Sequence, residues 1–206
     1  MPWRSAGWAR IGYVNTDGHG PSGGLKVTID QIIDSLIDVE GGYVDNPNDP
    51  GGKTNWGVTE KVARANGYVG DMRDMPQSIA REIFRNIYVV KPGFDRVARL
   101  SPALAEELVD TGVNMGTHVA SVFLQRSLNA FNLQGKLYSD IDVDGKIGSA
   151  SLTALSRYLE YRKADAVPVM LKALNCLQGA RYIEIVEGRP KSEDFVFGWT
   201  RTRVEI

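Results

Sequence analysis

A glutamate continues an apolar helical stripe near the start of the sequence. Glu40 lies four residues after Leu36 and three after Ile37, a spacing that places the three side chains on one face of a helix. The Gly41-Gly42 pair predicts that the helix ends directly afterwards. Apolar neighbours and the negative end of the helix dipole both favour a neutral carboxyl group, so we expect a raised pKa for Glu40. A protonated carboxyl at the edge of a cleft is the general acid that glycosidic bond cleavage requires, although buried glutamates also occur in structural networks.

The segment that follows Glu40 offers groups that suit a sugar polymer. Tyr43 and Trp56 have rings that stack on sugar faces and polar tips that form hydrogen bonds. Asp45 and Asp49 are candidates for a second carboxylate, which would hold a water molecule or stabilise an oxocarbenium-like transition state. The predicted hydrogen-bonding residues and close-approach glycines of the segment are Asn46, Gly51, Gly52, Thr54, Asn55 and Thr59.

The elements that must position these residues are predominantly helical. Thr28 and Gln31 have the spacing of a capping box, and the apolar residues after them recur at the helical period, which predicts a first helix from this point. Residues 43–58 are rich in Asn, Asp, Pro and Gly and predict a structured loop or a small hairpin. Further helical patterns cover residues 59–66, 76–88, 102–115, 119–131, 149–161, 165–186 and 193–203. The predicted fold class is mainly α, with a small β or loop region at about residues 43–58.

The string EGGYVDNPNDPGGKTNWGVT, from Glu40 to Thr59, resembles the signature of glycoside hydrolase family 108, the N-acetylmuramidases of phage endolysins and bacterial secretion loci. Residues 110–116 are similar to the family's next helix motif. Residues 124–152 are similar to its C-terminal predicted peptidoglycan-binding region. The resemblance implies a lysozyme-like helical fold, in which Glu40 is the catalytic acid. It also implies a substrate, the β-1,4 bond between N-acetylmuramic acid and N-acetylglucosamine.

The resemblance also implies a division of the chain. Residues 1–26 have no counterpart and form an extension, residues 27–116 form a lysozyme-like catalytic region, and residues 117–206 form a helical peptidoglycan-binding region packed on it. Asn114, one turn after Asp110, would line the far wall of the cleft, and a pair on the helix surface is the alternative. Two other functions stay open: a lytic transglycosylase that uses the same glutamate, and a non-catalytic module that binds peptidoglycan.

Composition and the remaining motifs argue against other classes of ligand. The formal net charge of −1 creates no strong field that would select nucleic acid. Two histidines and the single Cys176, which we expect in the core, do not supply a zinc cluster. Residues 140–151 imitate a calcium loop but end in Ser151 in place of the bidentate glutamate, so a turn is the preferred interpretation. Residues 52–54 imitate the end of a P-loop without its first glycine, which argues against a nucleotide. We expect no metal and no cofactor.

Location and assembly follow from what the sequence lacks. It contains no run of about 18 apolar residues, and no apolar core of a signal peptide follows the first basic residues. We therefore expect synthesis in the host cytoplasm without a cleavable signal peptide, and action on the cell wall or periplasm after release. The expected partners are peptidoglycan glycan strands. Membrane contact is expected only through residues 1–26, and the chain is expected to be a monomer.

Overall fold

The structure, a computed structural model, describes residues 28–39, 42–45 and 52–204. The described chain is predominantly helical, which confirms the mainly α prediction. Its α-helices are α1 (Ile29–Val39), α2 (Glu60–Ala65), α3 (Gln77–Arg85), α4 (Phe94–Leu100), α5 (Pro102–Met115), α6 (Thr117–Phe131), α7 (Ser149–Arg162), α8 (Ala166–Gly188) and α9 (Glu193–Arg203). Shorter helical turns are Met72–Asp74, Asn86–Val90, Lys163–Asp165 and Pro190–Ser192. Two strands, β1 (Thr54–Asn55) and β2 (Val58–Thr59), pair antiparallel within the predicted β region.

The described chain forms two compact units, residues 28–87 and residues 88–204. These units divide the chain at a different point from the predicted domains, whose boundary between residues 116 and 117 stays a prediction. The predicted extension, residues 1–26, lies outside the described residues. No helix within the described part of the chain combines the length and the apolar content needed to cross a lipid bilayer.

Helix α1 begins with the predicted capping box. The Thr28 backbone N–H donates to Gln31 Oε1 at 2.8 Å, and the Gln31 backbone N–H donates to Thr28 Oγ1 at 3.3 Å. Two of the four free N–H groups at the helix start are thereby satisfied by side chains. The predicted apolar face is buried as well, at Ile32, Ile33, Leu36 and Ile37.

The acidic face of α1 meets the basic face of α3 in the first unit. Arg81 pairs with Asp34, and Arg85 pairs with Asp30. These side chains are 41–63% exposed, so each pair contributes about 0–1 kcal/mol. Burial of the apolar face therefore supplies most of the free energy that holds α1 in the first unit. The ion pairs also favour one rotation of α1 about its axis.

The second unit is a helical assembly with α5 in contact with α4, α6 and α8. Ser101 caps α5, because its hydroxyl accepts from the Leu104 backbone N–H at 3.4 Å, and Pro102 occupies the first turn. Gly116 separates α5 from α6 with a φ of +96°, a value that L side chains rarely adopt. The predicted break between these two helices is therefore confirmed.

Two features of the second unit differ from expectation. Cys176 is exposed on α8, so the prediction that it belongs to the core is wrong. Helix α4 was not predicted, since its seven residues are too few to establish a helical period. Phe94 and Val97 of α4 are fully buried, so this short helix is held by packing and not by local propensity.

Candidate active site

A tight hairpin forms the centre of the predicted sugar-binding segment. Thr54 pairs with Thr59 and Asn55 with Val58, which leaves Trp56 and Gly57 as the two turn residues. Both have positive φ, +52° at Trp56 and +74° at Gly57, as a type I′ turn requires. This backbone is unfavourable for tryptophan. Its indole N–H donates to the Met75 carbonyl at 2.8 Å, which helps to hold the ring in place.

Asn55 joins the hairpin to the segment 71–75. Its side chain is 4% exposed, and its amide donates to the carbonyl of Met72 at 2.7 Å and to that of Arg73 at 3.3 Å. Asp71 caps the short turn from the other side, because its carboxylate accepts from the Arg73 backbone N–H at 2.9 Å. The backbone of Arg73 is therefore positioned by groups from both sides.

The clearest cluster of chemically useful side chains in the first unit contains Tyr43, Asp45 and Arg73. The neighbouring Val44 pairs with Thr54 through two backbone hydrogen bonds of 2.8 and 2.9 Å, which brings this segment beside the hairpin. The Tyr43 hydroxyl donates to Asp45 Oδ2 at 3.2 Å, and the Arg73 guanidinium lies 5.0 Å from the centre of the Tyr43 ring. Hydrogen bonding to Tyr43 raises the pKa of Arg73 further above its already high ordinary value. A guanidinium is charged at neutral pH in any case.

This cluster faces solvent and combines three kinds of recognition. Asp45 and Arg73 are exposed, and Tyr43 is half-buried. The ring offers an apolar face, the carboxylate accepts hydrogen bonds from hydroxyl groups, and the guanidinium donates to acyl oxygens. Such a set suits an acylated sugar polymer. The sequence did not point to Arg73, which lies far from Tyr43 along the chain and belongs to no motif.

Several predicted site residues have local structural contacts. Thr59 caps α2, where its hydroxyl accepts from the Val62 backbone N–H at 3.4 Å. Gly52 has a φ of +75° and lies beside the Glu60 side chain. Asn55 and Trp56 form a frame for the Tyr43 cluster, because their side chains hold the segment that carries Arg73. The contacts of all four residues with substrate stay predictions.

The remaining predicted site residues fall into two groups. Glu40, Asn46, Asp49 and Gly51 lie outside the described residues. Asn114 belongs to the second unit, where its amide donates to the Asp110 carbonyl at 2.7 Å. Asp110 also accepts from Arg203 of α9 at 2.7 Å, an ion pair in which the arginine side chain is only 7% exposed. The sequence did not indicate this pairing, because nothing local connects α5 to the end of the chain.

The loop that imitates a calcium site is held by amide side chains of α6. Gln125 donates to Asp144 Oδ1 at 2.9 Å and to the Lys146 carbonyl at 3.1 Å, and it accepts from the Gly145 backbone N–H at 2.8 Å. Asn129 exchanges two hydrogen bonds with the Ile141 backbone. The hydrogen bond from Gln125 is the largest cause of a lowered pKa at Asp144. Among the described residues, no three His, Cys, Asp or Glu side chains come together as a metal site.

The Asn55 contacts give a testable stability prediction. The change Asn55→Asp keeps the shape of the side chain but replaces the N–H donors, so a carboxylate oxygen would face two carbonyl oxygens. We expect the free energy of unfolding at neutral pH to fall by about 2–3 kcal/mol. Urea titrations of both proteins measure this difference. Equal stability at pH 7 would contradict the structural role, whereas partial recovery at acid pH would support it, because protonation restores one donor.

Two family models match the chain. The model of glycosyl hydrolase 108 matches residues 33–116, and the model described as a predicted peptidoglycan domain matches residues 119–204. The first match begins in α1 and includes the hairpin and the Tyr43 cluster. The second begins in α6 and includes the loop that Gln125 holds. The order of the two matches agrees with the resemblance that the sequence motifs indicated.

Comparison with solved structures adds a structural relative. A solved structure of SagA from Brucella abortus is 26% identical, and the alignment covers 83% of this chain and 86% of that chain with a TM-score of 0.52. A search of curated proteins gave no match. The chain therefore carries a glycosyl hydrolase family 108 domain at residues 33–116, followed by a domain of the predicted peptidoglycan family at residues 119–204, and it is a glycoside hydrolase that acts on peptidoglycan.

Proposed function

We propose that the protein is an N-acetylmuramidase that hydrolyses the β-1,4 bond between N-acetylmuramic acid and N-acetylglucosamine, with Glu40 as the general acid. The observation that carries the proposal is the burial of the apolar face of α1. Leu36 and Ile37 are each 1% exposed, and Glu40 follows them at helical spacing directly after the last helical residue, Val39. A carboxyl group that continued this apolar face would be partly desolvated, which favours its protonated form.

In the proposed reaction, Glu40 donates its proton to the glycosidic oxygen as the bond to the sugar carbon breaks. A water molecule adds to that carbon and returns a proton, so that one water is consumed for each bond. Asp45 or Asp49 is the proposed second carboxylate. Asp45 is exposed, and its Oδ2 accepts from the Tyr43 hydroxyl.

Binding of the glycan strand is proposed to involve the Tyr43 cluster. The guanidinium of Arg73 lies over the Tyr43 ring, so we propose that the opposite side of the ring stacks on a sugar. Arg73 would donate to an acyl oxygen of the same strand, because a guanidinium has five N–H donors and cannot satisfy them all on the ring. The enzyme is proposed to act as a monomer on the cell wall, after release from the cytoplasm in which it is made.

The products of a muropeptide digest test this proposal. Purified peptidoglycan is incubated with the protein, and the soluble fragments are reduced and analysed by mass spectrometry. We expect fragments that end in a reducible N-acetylmuramic acid. Fragments that lack one water would identify a lytic transglycosylase, and fragments that end in reducible N-acetylglucosamine would identify cleavage of the other glycan bond. Binding without release of fragments would support a non-catalytic module.

A further inference from the structure

A basic groove lies between α4 and α7 in the second unit. Its volume is about 550 Å³, and its walls include Arg96, Arg99 and Arg157, with Glu160 as the single acidic residue. The apolar part of the lining includes Leu100, which is 39% exposed. Three guanidinium groups around one open groove create a local positive field, although the whole chain has a net charge of −1.

The arginines of this groove are only partly neutralised. Arg157 pairs with Glu160 at 3.5 Å, but the two side chains are 63% and 72% exposed, and such pairs are weak. Arg96 donates to the Ile147 carbonyl, which fixes its guanidinium without removing its charge. Arg99 is exposed and has no hydrogen-bond or ion-pair partner among the described residues. The groove therefore has unused donors for an anionic ligand.

A second groove continues along the same helix with the opposite charge. Its volume is about 470 Å³, its lining includes Tyr138, Asp140 and Asp142, and it shares Thr153 of α7 with the basic groove. The lining residues of α7 run from Ser149 in the acidic groove to Glu160 in the basic groove. Eleven helical steps span about 16 Å, the length of an extended peptide of about five residues.

We propose that these joined grooves bind the stem peptide of peptidoglycan. The peptide is short and extended, and it carries free carboxylates together with the amine of its diamino acid. Its carboxylates would lie against Arg99 and Arg157, and its amine against Asp142. An unsubstituted polyphosphate chain would use the basic groove but has no cation for the acidic one. The proposal rests on peptidoglycan as the substrate of the proposed function, and it assigns a separate site for the peptide part.

Calorimetric titration of the full chain with the soluble tetrapeptide L-Ala–γ-D-Glu–meso-diaminopimelate–D-Ala tests this site. Wild-type protein should bind the peptide. The double variant Arg99→Gln/Arg157→Gln should bind about ten- to hundredfold more weakly, since it loses hydrogen bonds between charged groups. Amidation of the peptide carboxylates should have a similar effect on the wild type. Asp142→Asn should weaken binding severalfold, but only for a peptide in which the amine of the diamino acid is free.

The matched control is Arg126→Gln, because Arg126 is an exposed arginine of α6 that lines neither groove. Its affinity should stay within about twofold of wild type, and thermal melts check that all variants fold. Three results would overturn the proposal: no binding by the wild type, equal affinity in the double variant, or inorganic polyphosphate binding more tightly than the peptide at the same arginines. Binding of the peptide does not require cleavage of the glycan. A negative titration would therefore overturn the peptide site alone, whereas a negative muropeptide digest would overturn the proposed function.

Discussion

Glu40→Gln is expected to reduce the rate of peptidoglycan cleavage by about 10²–10⁴-fold, the usual contribution of a general acid. Glutamine keeps the size of the side chain and removes the acidic proton. The leaving glycosidic oxygen would then depart as an unprotonated alkoxide, which is a far poorer leaving group. The measurement is the release of reducing ends from purified cell walls, compared with wild type at several pH values.

The same variant should unfold at nearly the same temperature as wild type. The buried face of α1 consists of Ile32, Ile33, Leu36 and Ile37, none of which changes. Glu82→Gln is the matched control, because Glu82 is an exposed residue of α3 in the same unit. It should retain full activity. If Glu40→Gln cleaves within tenfold of wild type, Glu40 is not the general acid.

Gln125→Met is expected to lower the free energy of unfolding by about 2–4 kcal/mol. Gln125 is 1% exposed and bonds to the Asp144 carboxylate, the Gly145 N–H and the Lys146 carbonyl. Methionine fits the same volume but offers none of these bonds, so three partly buried hydrogen bonds that hold the loop would be lost. For a chain of this size, about 3 kcal/mol corresponds to a fall of about 6–12 °C in Tm.

Thermal and urea unfolding of Gln125→Met measure the loss. Gln77→Met is the control, since Gln77 is exposed at the start of α3, and its stability should stay within about 0.5 kcal/mol of wild type. A Gln125→Met protein as stable as this control would show that the loop at residues 140–148 is held by other contacts. Addition of calcium should not restore the variant, because the loop lacks the bidentate glutamate of a calcium site.

The loss should also depend on pH in a defined direction. Gln125 lowers the pKa of Asp144 below its usual value of 3.8 in the folded protein. A depressed folded pKa stabilises the fold above the unfolded pKa, and this stabilisation disappears as the pH falls through the folded pKa. The stability difference between wild type and Gln125→Met should therefore shrink as the pH is lowered from about 5 to below 3.8. A constant difference would exclude Asp144 as one of the coupled groups.

The features that follow from the sequence are those whose physical cause is local. The capping box of Thr28 and Gln31 acts within one turn of helix, and Gly116 breaks the chain through its own backbone conformation. The apolar period of α1 predicted its buried face because helical spacing alone aligns those side chains. Helix α4 escaped prediction, since seven residues carry too little period and its formation depends on the burial of Phe94 and Val97.

In the candidate site, the residue types could be predicted from the sequence, whereas their contacts could not. The sequence identified Tyr43 and Asp45 by residue type, and the structure joins them through a hydrogen bond. The roles of Asn55 and Trp56 in the frame were not foreseen. Their side chains donate to the backbone carbonyls of Met72, Arg73 and Met75. Every residue type has a backbone carbonyl, so residue types alone do not indicate these contacts.

By itself, the sequence determined the mainly helical class, the start of α1 and the stop at Gly116, because each depends on residues within a few positions of one another. Only the tertiary structure decided that Arg73 lies over Tyr43, that Gln125 holds the loop at Asp144, and that Arg99 and Arg157 line one groove. These arrangements join residues that are distant along the chain. Their geometry is set by how helices and loops pack, which no local pattern of residue types specifies.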